Sequence, residues 1–434
     1  MSRTLPARAG YIAPALAFLA FVLLTGLWAV GGTAAYKAIL WTFGMMKPAH
    51  PFLDTHAILS AVECHAAGVD VMRANPCDSL GRPHIYGALW LRLSALRLDR
   101  SMVVPVGVGL DLAFLAGLLL LPRAHRWHEV FVLSLAFVSP VTVFAMERGN
   151  NDIVIWLLTF AAARLAIGNG VARGVAYGVV CLASLLKFYP AVLLILLGRE
   201  RLGRALLIGL PLAGLLGILI WREAATPGQH FDYAAYRTDA FGAGNVAQVL
   251  LINMTNAPWR STLVGLIVAA LTIYALTLSV RMVTRFTLLP RVRALPAFEA
   301  WLAMAGATML IACFFLTGPN IVYRGILLLL VLPAVLTLWR NADDRPARRL
   351  LAGVAWVIVW CLWSEGVHNH VMDGTRGLDN LTEPQLALIG VVTGIRELAW
   401  WWLISVLIAL VGCIGLTSAA GRDFCRLTGI RLPT

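Results

Sequence analysis

The chain has 434 residues, of which 60% are hydrophobic and only 13% are charged. A mean hydropathy of +0.80 excludes a soluble globular protein, because a soluble fold lacks the interior to hide so much apolar surface. The net charge is +13, but Lys and Arg stand mostly in short loops between hydrophobic runs, which is typical of membrane proteins. The sequence therefore predicts an all-α polytopic membrane protein that contacts the lipid bilayer and no nucleic acid.

The hydrophobic runs predict the membrane spans, since a spanning helix needs about 20 apolar residues. They give about twelve crossings within a single membrane domain, residues 1–434. The first run is too long for the apolar core of a signal peptide and is predicted to be an uncleaved span. Residues 246–258 are predicted to be re-entrant or interfacial. The predicted spans are 11–32, 102–121, 129–146, 152–167, 171–186, 188–198, 205–221, 262–280, 299–317, 321–338, 350–364 and 396–416.

The distribution of arginine predicts the orientation. Every second loop is basic, which places those loops and both termini in the cytoplasm. The polar segments then share the extracytoplasmic face. They are 34–100, 146–152, Lys187, 222–245, 320–324 and 365–395. No P-loop and no Rossmann glycine pattern occurs, so a nucleotide donor is not expected.

The first extracytoplasmic loop, residues 34–100, carries Asp54 and His56 soon after the first span. A carboxylate there suits a general base that takes a proton from an acceptor hydroxyl. The alternative role is a helix N-cap, since Asp is a favoured cap before an apolar run. Arg82 suits a phosphate or sugar oxygen, and Tyr86 suits a sugar face or the interfacial aromatic belt.

Two cysteines, Cys64 and Cys77, stand thirteen positions apart in the same loop. They can form a disulfide if the loop faces an oxidising compartment. Otherwise they remain two thiols, and both alternatives stay open at this point.

A polar island interrupts two apolar runs at residues 146–152. Ionisable side chains at membrane depth are costly and by default indicate a functional site. Arg148 is a candidate phosphate clamp, with Glu147 as its ion-pair partner. Asn150 and Asn151 suit hydrogen bonds to sugar hydroxyls, and Asp152 suits a cap on the next helix. The alternative is a purely structural buried network.

Two further interruptions repeat this theme. Lys187 and Tyr189 break one apolar run, and Asn320, Tyr323 and Arg324 stand near the start of another. The lysine suits an anionic leaving group, although snorkelling of its ammonium to the interface is the alternative. Arg324 is a second candidate for a phosphate.

His368 and His370 form a His-x-His pair within a predicted exposed loop. No cysteine or carboxylate completes a typical metal-binding spacing around them. We therefore expect neither an essential metal nor a cofactor.

Four features in chain order resemble glycosyltransferase family 87. They are Asp54 after the first span, the motifs Gly-x-Asp-Val, Asn-Pro-Cys-Asp and Gly-Arg-Pro within 68–83, Glu-Arg-Gly-Asn-Asn-Asp at 147–152, and Lys-Phe-Tyr-Pro at 187–190. The resemblance spans about residues 10–340, and 147–152 is its most specific part. The chain departs from the family at 84–86, where His-Ile-Tyr stands in place of the frequent Asn-Tyr-Pro.

The resemblance implies a GT-C fold and an inverting sugar transfer in a bacterial inner (plasma) membrane. The donor would be a hexose such as mannose, or a pentose, on a polyprenyl monophosphate. The acceptor would be a glycolipid or polysaccharide outside the cytoplasm. Asp54 would be the catalytic base, and Arg148, Lys187 and Arg324 would stabilise the charge on the phosphate leaving group.

Two other functions compete with this interpretation. A lipid-linked sugar transporter or flippase also suits twelve spans, but carriers usually contain two similar halves, and no convincing repeat occurs here. An O-antigen ligase or polymerase usually has one large loop towards the end of its chain. In this chain the large polar loop follows the first span.

Overall fold

A computed structural model describes residues 6–45, 50–224, 240–251, 259–316, 320–374 and 382–430. Within them the chain forms sixteen α-helices, which are numbered here in chain order. The first eight are α1 Ile12–Thr42, α2 Leu53–Ala66, α3 Val103–Leu119, α4 Trp127–Phe137, α5 Pro140–Glu147, α6 Asn151–Ala166, α7 Gly170–Leu186 and α8 Leu202–Ala224. The others are α9 Asn245–Leu250, α10 Arg260–Arg285, α11 Leu288–Arg293, α12 Ala297–Leu316, α13 Leu328–Arg340, α14 Arg345–Gly374, α15 Glu383–Thr417 and α16 Ala419–Thr428.

Short elements connect these helices. The described residues contain two strands, β1 Ala240–Phe241 and β2 Asn320–Ile321, which pair antiparallel with Phe241 opposite Asn320. The 3₁₀ segments are Ala7–Tyr11, Ala88–Leu96, Arg100–Met102, Tyr189–Arg199 and Val322–Leu327.

The predicted class, an all-α polytopic membrane protein, is confirmed. Eight helices of the described chain are long and apolar enough to cross a membrane, or nine if α4 and α5, which meet at 41°, form one broken span. The sequence predicts about twelve crossings. The difference arises at α6, α7 and the 3₁₀ segment Tyr189–Arg199, which contain only 16, 17 and 11 residues.

The prediction of a loop over residues 365–395 is wrong, because most of this segment that the structure describes is helical. Helix α14 continues to Gly374 and α15 begins at Glu383, so the His-x-His pair lies on a helix. Polar side chains lower the hydropathy there, but a helix can continue beyond its apolar section. Residues 225–239 and 252–258 lie outside the described residues, so most of the two segments predicted at 222–245 and 246–258 is not described.

Helices α12 and α13 form the centre of the molecule, because 72% and 89% of their most apolar stretches are buried. Helices α8 and α10 lie at the periphery, with 6% and 11% buried. Helix α12 has 20 residues and therefore spans about 30 Å. It begins at Ala297, near Arg199, and ends shortly before Asn320, so the two ends of the helices carry different side chains.

Candidate functional site

Helix α2 begins against the turn that follows α5. The Phe52 amide donates a hydrogen bond of 2.8 Å to the Glu147 carbonyl, and the Thr55 hydroxyl donates one of 2.7 Å to the Gly149 carbonyl. Gly149 has φ of +51°, and a Cβ there would lie 2.4 Å from Thr55 Oγ1. Only glycine fits this position without strain, so the turn fixes where Asp54 emerges.

The Asp54 carboxylate is 2% exposed and is held by side chains from the polar island. Arg148 Nη2 lies 2.8 Å from Oδ1, and Asn150 Nδ2 donates to Oδ2 at 2.5 Å. Arg82 Nη1 is 3.7 Å away. The N-cap alternative is wrong, because Phe52 occupies that position in a left-handed conformation and Asp54 lies in the first turn.

A second layer supports Asp54 from the loop. Arg82 contacts Asp78 through Nε at 2.9 Å and donates through Nη2 to the Leu53 carbonyl at 3.1 Å. His56 Nδ1 lies 3.3 Å from Asp78 Oδ1. Burial raises the pKa of Asp78, but the hydrogen bonds from His56 and Arg82 outweigh it and keep that pKa well below its usual value. His56 therefore lies against Asp78, one step removed from Asp54.

The second carboxylate, Asp152, lies in the first turn of α6. Lys187 Nζ is 2.7 Å from Oδ1, the Tyr189 hydroxyl donates to the same oxygen, and Arg324 Nε is 3.6 Å from Oδ2. The predicted capping role belongs to Asn150 instead, whose side chain accepts the Asp152 amide at 2.7 Å. Asn150 thus links the Asp54 carboxylate to the backbone of Asp152, because its Nδ2 donates to Asp54.

Aromatic rings lie beside the cations of the site. The Lys187 ammonium lies 5.4 Å from the centre of the Tyr86 ring, and the Arg324 guanidinium lies 5.3 Å from that of Tyr189. The rings of Tyr323 and Phe144 pack with their centres 5.9 Å apart. Residues that are far apart in the sequence therefore surround one site.

Asn320 supports this site from β2. It accepts a hydrogen bond from Arg324, and its Nδ2 donates to the carbonyls of Phe241 at 3.3 Å and Cys313 at 2.5 Å. Its side chain is fully buried. Asn320 therefore orients Arg324.

Two predicted residues do not join the group. Glu147 does not pair with Arg148, which binds Asp54. Instead Glu147 lines a separate cavity with Asp111, and neither of its carboxylate oxygens has a hydrogen-bond partner within the described part of the chain. The amide of Asn151 is likewise buried without a partner among those residues. The cavity lies beside α1. The backbone turn directs Glu147 into this cavity and away from Asp54.

Trp90 lies inside the protein. It is 9% exposed, and its indole Nε1 donates to the Leu186 carbonyl at 3.1 Å. The hydrogen bond attaches the loop to the end of α7, next to Lys187.

The sequence analysis missed a buried ionic network on α14 and α15. Arg396 contacts Glu365 at 3.0 Å and Glu397 at 3.1 Å, and it donates to the Ala240 carbonyl at 3.2 Å. Asn245 donates to Glu397 at 2.7 Å. The available signal was the Arg-Glu pair at 396–397 in an apolar run. Because β1 pairs with β2, the network holds the strand that carries Asn320.

Cys64 and Cys77 form a disulfide, which resolves the two alternatives left open by the sequence. The bridge ties the end of α2 to the turn that contains Asp78. It therefore holds in place Asp78, which supports Asp54 through Arg82.

Comparison with known proteins adds no further assignment. No protein-family model matches the chain, and no curated protein or solved structure is significantly similar to it.

Cations gather at both carboxylates of the site. Arg148 binds Asp54, and Arg82, which is paired with Asp78, lies 3.7 Å from it. Lys187 and Arg324 both lie within 3.6 Å of Asp152, and this concentration of positive charge favours an anionic ligand at that end. At the other end Asp54 is oriented by two side-chain donors, as a carboxylate base must be.

Proposed function

We propose that the chain is an integral membrane glycosyltransferase with a GT-C type fold. It moves a hexose such as mannose, or a pentose, from a polyprenyl monophosphate to a glycolipid or polysaccharide acceptor. The observation that carries this proposal is the pairing of an oriented carboxylate, Asp54, with a neighbouring centre at which two cations, Lys187 and Arg324, lie close together.

The phosphate of the donor would bind at the Asp152 centre. Lys187 and Arg324 both lie at the Asp152 carboxylate. The phosphodiester of the donor carries one negative charge, and charge-assisted hydrogen bonds from an ammonium or a guanidinium to it are strong. The same cations stabilise the negative charge that grows on the phosphate as the glycosidic C–O bond breaks.

Asp54 would act from the opposite side of the sugar. Its carboxylate takes the proton from the acceptor hydroxyl, whose oxygen then attacks the anomeric carbon. The phosphate leaves with the electron pair of the broken bond. Attack opposite to the leaving group inverts the anomeric configuration, so one transfer needs no covalent sugar–enzyme intermediate.

The extracytoplasmic side of the membrane suits this reaction. The Cys64–Cys77 disulfide favours an oxidising compartment for the loop that supports Asp54. The arginines concentrate in the loops at the opposite helix ends, which is typical of cytoplasmic loops. Both observations support an orientation with cytoplasmic termini.

The test is sugar transfer by the purified protein in lipid nanodiscs. A panel of polyprenyl-phosphate sugars and glycolipid acceptors is offered to the wild type, to Asp54→Asn and to Asp70→Asn. Asp70 is a matched control, because it belongs to the same loop and its side chain is 61% exposed. We expect inverted products from wild type and control, with turnover reduced about 10²–10⁴-fold in Asp54→Asn. Equal turnover by Asp54→Asn would refute its role as the base.

A lipid-linked sugar flippase is the second candidate function. Asp111 and Glu147 favour it, since both are buried in a membrane cavity and transporters use such carboxylates. In proteoliposomes a flippase moves the intact donor across the bilayer without releasing polyprenyl phosphate. Movement without transfer by any donor and acceptor pair would replace the transferase proposal.

A further inference from the structure

A basic cavity lies at the end of the helices opposite to the candidate site. Its volume is about 200 Å³, and its walls come from the end of the 3₁₀ segment Tyr189–Arg199, from α11, from the start of α12 and from the junction of α15 with α16. Helix α12 separates it from Asn320 by about 30 Å. The cavity is therefore distinct from the site around Asp54 and Asp152.

Three arginines line this cavity: Arg199, Arg293 and Arg422. No Asp or Glu is among its lining residues, and none of the three forms an ion pair within the described ranges. Neighbouring arginines behave differently: Arg340 binds Glu129, and Arg173 binds Glu200. The cavity therefore concentrates positive charge that the described protein residues do not neutralise.

Contacts with neighbouring residues hold two of these arginines in place at the cavity wall. The Arg199 guanidinium lies 5.6 Å from the Trp301 ring centre, and its buried Nε has no hydrogen-bond partner in the described chain. Arg422 Nη1 donates to the Thr417 carbonyl at 2.5 Å, which leaves its other nitrogens for a ligand. A planar guanidinium with free N–H groups matches the oxygens of a phosphate.

Apolar side chains are exposed on α16, which contributes to the cavity wall, and on α8 beside it. Helix α8 packs beside α16, where the Leu202 amide donates to Asp423 at 3.1 Å. Leu207 and Leu210 on α8 are 75% and 68% exposed, and Leu427 on α16 is 78% exposed. In a membrane these side chains contact acyl chains, so a lipid can place its tails on α8 while its headgroup enters the cavity.

We propose that this cavity binds the phosphate headgroup of an anionic phospholipid in the leaflet opposite to the candidate site. Basic pockets between helix ends recognise such headgroups, and each arginine near the surface contributes to the attraction. The proposal is independent of the reaction at Asp54.

The test measures binding of phosphatidylglycerol and phosphatidylcholine to the delipidated protein by native mass spectrometry. The test variant is Arg199→Gln/Arg293→Gln/Arg422→Gln. The control is Arg285→Gln/Arg345→Gln/Arg349→Gln, which removes the same charge from exposed arginines that do not line the cavity. We expect wild type and control to prefer phosphatidylglycerol, and the test variant to lose about tenfold or more of that affinity.

Two results would overturn the proposal. An equal loss in both triple variants would assign the preference to general surface charge. Displacement of phosphatidylglycerol by millimolar inorganic phosphate, with no preference between lipids, would make the cavity a site for a free anion. If the test triple variant does not fold, Arg422→Gln and Arg422→Lys replace it: retention by lysine and loss by glutamine supports the proposal, and retention by both contradicts it.

Discussion

The two carboxylates of the candidate site have different surroundings. Asp54 has Arg148 at 2.8 Å and one neutral donor, Asn150, while the next cation, Arg82 at 3.7 Å, is already paired with Asp78. Asp152 has Lys187 at 2.7 Å and Arg324 at 3.6 Å, besides the Tyr189 hydroxyl. Both carboxylates lie in the first turn of a helix, so the difference comes from their partners.

This difference shows how one buried network can both orient a base and bind a phosphate. A carboxylate that faces one cation at close range is oriented without drawing in a further anion, which suits Asp54 as a base. A centre where two cations meet attracts a phosphate, which suits Lys187 and Arg324. The comparison predicts that the same kind of substitution has different consequences in the two centres.

The largest effect on stability is expected for Arg148→Met. It leaves Asp54 buried with only Arg82 nearby, 3.7 Å away and already paired with Asp78, and loss of one partner from a buried pair costs about 3–5 kcal/mol. Lys187→Met is the matched variant, because Asp152 still keeps Arg324 at 3.6 Å. Unfolding in detergent followed by circular dichroism measures both; equal destabilisation would contradict the distinction between the two centres.

Loss of the disulfide is expected to affect the Asp54 centre only. Cys64→Ser/Cys77→Ser removes a cross-link between residues thirteen apart, which contributes about 3 kcal/mol in the chain-entropy model. Wild type treated with a reductant should match the double variant in unfolding temperature. Affinity for a polyprenyl-phosphate donor should remain, and its loss would mean that the bridge supports both centres.

Lys187→Met is expected to weaken donor binding. A hydrogen bond to a charged group contributes about 1.5–3 kcal/mol, so the dissociation constant should rise about 10–150-fold. Titration of the fluorescence of the protein with a donor measures this change. Unaltered affinity would remove Lys187 from the phosphate site.

The last effect is expected at the turn that joins the centres. Gly149→Ala places a Cβ at φ of +51° and 2.4 Å from Thr55 Oγ1. The left-handed conformation alone costs a residue with a side chain about 1–2 kcal/mol, and the contact with Thr55 adds to that cost. Gly174→Ala is the control, since nothing lies within 4 Å of its added Cβ. The Gly149 variant should unfold at a lower temperature, and the control should not; a stable Gly149→Ala protein would mean that the turn can adjust.

The sequence could predict which segments meet, but not how their side chains pair. Polar interruptions in apolar runs identified Asp54, Arg148, Asp152, Lys187 and Arg324, and orientation placed them on one face. Pairing depends on backbone direction, which hydropathy does not contain. For this reason Arg148 was predicted to bind Glu147, although the backbone turn brings it to Asp54.

The buried ionic network of α14 and α15 was not predicted from the sequence for a related reason. Arg396 and Glu397 stand at the start of a predicted span, where polar residues usually face the headgroups. The structure buries them, because α15 begins thirteen residues earlier, at Glu383.

Donor binding and turnover measured together test the division between the two centres most directly. Purified Asp54→Asn and Arg324→Gln are compared with wild type, with equilibrium binding of a polyprenyl-phosphate sugar and sugar transfer recorded on the same preparations. The account predicts that Asp54→Asn binds the donor like wild type but does not transfer it, whereas Arg324→Gln loses donor affinity. Loss of donor binding in Asp54→Asn, with normal binding in Arg324→Gln, would contradict it.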